Sequence, residues 1–142
     1  MLDLQDAIFR LLAATLGGGL IGLDREINQK PAGLRTLMLV GLGAGLVTIV
    51  SLQAGGDMRD PLRVVQGIIM GIGFLGGGVI LRREENGEIE NLTTAASIWV
   101  VAAISIGFGL GQWQLTSVAL AIVAFVLIGV RGIERWVNRV AR

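Results

Sequence analysis

Four sets of residues in this sequence have the types and spacing to do chemistry. Gly71, Gly73 and Gly76, within MGIGFLGGG, spell the G-x-G-x-x-G of loops that cradle a phosphate between a strand and a helix. Asp24, Arg25 and Glu26 stand shortly before Arg35 and Thr36, with Pro31 and Gly33 as turn residues between them. Such a hairpin could pair its own charges or hold a charged ligand. Asp60, Arg63 and Gln66 follow one another at helical spacing, and Thr93 and Thr94 add two adjacent hydroxyls. Histidine and cysteine are both absent, which excludes disulfides, thiol chemistry, zinc sites of the usual kind and a Ser-His-Asp triad. Proton transfer near neutral pH would fall to carboxylates with raised pKa.

The elements that must position these residues are apolar. Of the 142 residues 53% are apolar and 16% charged, against roughly 25% charged in a soluble domain. Mean hydropathy is +0.71. The charges gather in clusters, and the runs between them are long enough as helices to cross ~30 Å of hydrocarbon at ~1.5 Å per residue. We read five spans, over 7–23, 36–53, 64–81, 92–111 and 113–130, with a basic tail over 131–142. The expectation is an all-α integral membrane protein, one transmembrane domain over 1–142. The first ten residues carry Asp3 and Asp6 but no basic n-region, so a cleaved signal peptide is not expected.

Five spans put the two ends on opposite sides. Arg25, Lys30, Arg35, Arg82, Arg83, Arg131, Arg135, Arg139 and Arg142 fall on one side, and Arg10, Arg59 and Arg63 on the other. The positive-inside rule then places the N-terminus out and the C-terminus in. The net charge of +1 gives no reason to expect nucleic acid.

Twenty-two glycines would weaken helices in water, but in lipid small residues four apart allow close van der Waals approach. Ala14, Gly18 and Gly22 make one such row, Gly41 and Gly45 a second, Gly107 and Gly111 a third. The third span carries two: Gly67, Gly71 and Gly78 on one face, Gly73 and Gly77 on another, with Gly76 beside them. A helix notched on two sides is expected at the centre, gripped by two neighbours. A nucleotide loop would also need a βαβ unit, for which there is no room. The G-x-G-x-x-G is therefore read as a helix whose glycines pack it, and no cofactor or metal site is expected.

The polar sets allow a plain and a sharper reading. Arg35 could return beside Asp24 or Glu26 as a helix-end ion pair, or the hairpin could be a coupling site. Asp60 before Pro61 reads as an N-cap, with Arg63 paired to Asp60 or Asp57; the sharper reading is a polar entry to a crevice. Thr93, Thr94 and Ser97 could bond back to helix carbonyls or line a vestibule. The absence of a mid-span carboxylate weakens proton-coupled transport, and no nucleophile–base pair suggests an enzyme.

The segments GLIGLDREINQKPAGLRT, DPLRVVQGIIMGIGFLGGGVILRR and LTTAASIWVVAAISIGFGLGQW together resemble the membrane domain of the MgtC/SapB family, over roughly residues 17 to 113. The motif positions that carry the resemblance are Asp24, Arg25, Gly33, Leu34, Arg35, Thr36, Asp60, Arg63, Gly71, Gly73, Phe74, Gly76, Thr93 and Thr94. The resemblance implies a bacterial inner-membrane protein of about five helices, associated with growth in low magnesium and, in pathogens, with survival inside host cells. It implies either a regulator of other membrane machinery, such as the F-type ATP synthase, or a small oligomeric channel or transporter for Mg²⁺. A homo-oligomer suits both. Asp24 stands where the family usually has glutamate, Leu37 where histidine is frequent and Asn91 where glycine is frequent. Many members also carry a cytoplasmic C-terminal domain, and none is expected within these 142 residues.

Overall fold

The structure, a computed structural model, describes residues 2–54, 61–82 and 89–140. Apolar composition unbroken by proline dictates five long helices: α1 (Leu4–Ile27), α2 (Leu34–Gln53), α3 (Pro61–Val79), α4 (Leu92–Gly109) and α5 (Trp113–Val140). Each is long and apolar enough to cross a membrane. A two-residue ladder, β1 (Leu81–Arg82) on β2 (Ile89–Glu90), is antiparallel and draws α3 and α4 into a hairpin.

Two of the helices, α1 and α4, end where the backbone reverses hand. At the end of α1 the amides of Gln29 and Lys30 donate to the carbonyls of Glu26 and Arg25, both at 3.0 Å, with Gln29 at φ 51°. At the end of α4 Gly111 and Gln112 donate to Phe108 and Gly107, both at 2.9 Å, and Gly111 takes φ 76°. Both are Schellman caps, which satisfy orphan carbonyls through one left-handed residue. Asn91, before α4, also lies in that region at φ 67°, where only glycine and asparagine sit readily.

The chain contains its own repeat. Leu23-x-Arg25-Glu26-x-Asn28-x₅-Leu34-x-Thr36 recurs 58 residues on as Leu81-x-Arg83-Glu84-x-Asn86-x₅-Leu92-x-Thr94, with Gly18-Gly19 matched by Gly76-Gly77. The hairpin α1–α2 thus corresponds to the hairpin α3–α4. The packing follows the repeat: a Cβ on Gly18 would strike the carbonyl oxygen of Leu37, and one on Gly76 would meet the carbonyl of Ala95, the residue matching Leu37, at 3.8 Å. Between hairpins α2 packs on α4 and α1 on α4, and the matching pair, α3 on α2, touches more lightly.

More than half of the spanning residues of α4 are buried, against almost none of those in α3 and α5. This corrects the expectation that the third span is central. Among the described residues Gly67, Gly71, Gly73, Gly77 and Gly78 have nothing within 4 Å of a Cβ, and of the α3 glycines Gly76 alone touches a neighbour. A small residue marks where close approach is possible and does not say which helix makes it. The close approaches are on α1, α2 and α4. A Cβ on Gly22 would lie 2.8 Å from Leu34 Cα, on Gly41 2.5 Å from the Ala14 oxygen, and on Gly45 2.9 Å from Ala14 Cβ. Around them Ala14, Ile21, Leu37, Ile98, Val101, Ile104 and Phe108 form the main core.

Candidate functional site

Two polar clusters close the two ends of the α1–α2–α4 core. At the end where α1 finishes, the helix carries Arg25 inward, where the side chain is 2% exposed. Its Nη2 donates to Oγ1 of Thr94, 1% exposed, on the first turn of α4. A charge held away from water survives only with partners, so this bond pins α1 of one hairpin to α4 of the other. Glu26, one residue on, points elsewhere. Its Oε2 accepts from the amide of Leu34 at 3.0 Å, and a Cβ on Gly33 would strike the same oxygen. The carboxylate caps α2, where orphan amides and the helix dipole favour a negative charge.

The expected ion pair to Arg35 is therefore replaced. The start of α2 offers Glu26 a fixed backbone donor, and Arg35 is exposed, with no ion pair among the described residues. Asp24 serves the end of α1 instead: Asn28 Nδ2 donates to its carbonyl at 2.6 Å and to its Oδ1 at 3.2 Å. Thr36, which matches Thr94 in the repeat, is exposed, and Thr93 is exposed too. Ser97 is buried and donates back to the Thr93 carbonyl at 2.7 Å.

The opposite end holds a cluster that the sequence reading missed. Arg10 pairs with Asp6 at 2.7 Å one turn away, and its Nη1 donates to the Gly109 carbonyl at 2.9 Å. The guanidinium also covers Gly111, where a Cβ would come within 2.8 Å of it. A cation thus caps the negative end of α4 and supplies one of the last carbonyls with a donor. The i, i+4 spacing of Asp6 and Arg10 is the sequence signal; the acceptor, 99 residues away in the chain, has none. A surface cleft of about 540 Å³ opens beside the pair, lined by Leu2, Asp3, Asp6, Arg10 and Leu52.

The other expected entry falls only partly within the described residues. Arg63 and Gln66 are exposed, and Asp60 lies outside the described residues, as does Asp57. No group of three or more His, Cys, Asp or Glu that could hold a metal ion occurs among the described residues. Between the two ends the buried hydroxyls spend themselves on nearby carbonyls. Thr48 donates to Ala44 at 2.7 Å and Ser51 to Thr48 at 2.6 Å. Leu37, Ile98 and Val101, almost wholly buried, fill the core that separates the two clusters.

Known proteins resemble this sequence. Protein SrpB of Synechococcus elongatus is 41% identical over 138 residues, covering 89% of this chain and 76% of its own. Protein MgtC of Salmonella typhimurium is 40% identical over 132 residues, 93% of this chain and 55% of its own. Escherichia coli YhiD, whose name offers magnesium transport as a candidate activity, is 43% identical over 115 residues, 76% of this chain and 53% of its own. The chain thus spans little more than half the length of the latter two relatives. No solved structure matches it. The model of the MgtC family matches residues 11–136, nearly the whole length, and this multi-pass membrane chain belongs to that family.

Proposed function

We propose that this chain is a non-enzymatic regulator in a bacterial inner membrane, tied to adaptation to low magnesium or stress and acting on other membrane machinery. In this reading the Arg25 end and the exposed Arg35 face the cytoplasm, the side that nine of twelve basic residues favour. The observation that carries it is the closed interior of α1, α2 and α4. Backbone meets backbone at Gly18, Gly22 and Gly41, the core between the ends is apolar, and each end is held by an arginine bound in place. A hydrated divalent cation needs room and several oxygen ligands, whereas this core is closely packed and its Thr48, Ser51 and Ser97 hydroxyls are already bonded to carbonyls.

Mg²⁺ uptake into proteoliposomes tests the reading, with Asp60→Ala and Arg63→Ala beside the wild type. The regulator reading expects no flux above empty liposomes while circular dichroism shows folded protein. Saturable uptake by the wild type, lost in both variants, would overturn it in favour of an oligomeric channel or transporter.

A further inference from the structure

The repeat gives every contact between hairpins a counterpart, and one of them is open. Where α1 meets α4, Ala14, Gly17, Val101 and Ser105 are all buried. Their matches 58 residues away, Ile72, Leu75, Gly43 and Val47, line a groove of about 500 Å³ between α3 and α2. Bulk explains the difference. Ile72 and Val47, both bulkier, stand where the closed seam has Ala14 and Ser105, and α3 touches α2 more lightly than α1 touches α4. Space remains at Gly43, Gly67 and Gly71, none of which has an atom within 4 Å of a Cβ position.

The closed seam also shows what covers such a place. Leu120 of α5 packs on Gly17 beside Ile104 and Phe108, with Val123 and Leu127 below it. The open seam has no matching cover among the described residues. We propose that the α2–α3 groove seats helix α5 of a second copy of this chain, so that copies assemble head to tail in the membrane.

The free face of α5 fits. Leu115, Val118, Ile122 and Phe125 are exposed by 57 to 71% and recur at intervals of three and four, a ridge along one side of the helix. From Leu115 to Phe125 the ridge is about 15 Å long, and the groove from Thr36 to Val47 about 16 Å, at ~1.5 Å per residue. Depth and direction agree. Leu120 lies level with Gly17, whose match Leu75 is in the groove, so a neighbour inserted at the same height brings its ridge alongside. α3 matches α1 in direction as well, so α5 of a like-oriented copy crosses the groove in the sense in which α5 crosses its own seam. The two surfaces are different patches, so the contact is heterologous and closes as a ring when the rotation permits.

The chain lacks cysteine, so introduced pairs report cleanly. Chains bearing Gly71→Cys alone are mixed in bilayers with chains bearing Val118→Cys alone and oxidised. The expected product is a dimer carrying one cysteine of each kind, with at least tenfold less product when either variant is oxidised by itself. The double variant should give a ladder of multimers. Gly43→Leu with Gly71→Leu, substitutions the single chain has space for, should abolish the mixed product at unchanged helicity. Equal crosslinking of Gly71→Cys with itself would mean an α3–α3 contact and overturn the proposal. So would absence of the mixed product, or its survival in the filled-groove variant.

Discussion

The two seams between hairpins differ far more than their sequences suggest. At the α1–α4 seam an arginine crosses to a threonine, small residues let backbones touch, and α5 lies over the junction. At the α3–α2 seam the matching positions carry Ile72 and Val47, Thr36 is exposed, and a groove remains. Duplication therefore supplied two interfaces, and substitution closed only one. The lesson is about lipid as a solvent. Apolar bulk gains nothing by leaving lipid for a partner of equal polarity, so the closed seam depends on close approach and buried polar bonds.

Breaking the arginine contact tests the comparison hardest. Arg25→Ala should cost about 2–5 kcal/mol, because it empties the space of a large buried side chain and unties α1 from α4. Thr94→Val, which leaves the guanidinium without that acceptor, should cost about 1–3 kcal/mol. Thr36→Val, the matching change at the open seam, should stay within about 0.5 kcal/mol. Reversible unfolding in mixed detergent micelles would rank the three. Arg10→Gln comes next, at about 1 kcal/mol, as the charged cap on α4 is lost, and its effect should appear as faster amide exchange at Leu110 and Gly111. Smallest is Gln29→Gly, which should stabilise by about 0.4–1 kcal/mol because φ 51° strains any side chain; Gly87 is its counterpart in the repeat.

The five helices were legible because hydropathy and charge clustering report the bilayer directly. Their arrangement was not. Glycine rows on α3 are as regular as those on α1, and the difference lies in what stands across from them. That Ala14 permits contact where Ile72 prevents it becomes readable only through the 58-residue repeat, whose few identities are scattered among interchangeable apolar residues. The polar site was half legible. Arg25 and Thr94 were both singled out, but 69 residues separate them, and nothing local says that they meet. The bond from the Leu34 amide to Glu26 has no signature in sequence, because every residue but proline carries a backbone amide.

One pair of variants tests the central claim, that one seam is closed and its twin open. Gly18→Ala and Gly71→Ala would be compared by equilibrium unfolding in dilute micelles, where the chain is monomeric. Gly18→Ala forces a methyl against the Leu37 carbonyl and should lose about 2–3 kcal/mol, while Gly71→Ala, with open space and better helix propensity, should gain about 0.5–1 kcal/mol. Equal losses at the two positions would show that α3 is packed as tightly as α1 and would contradict the account.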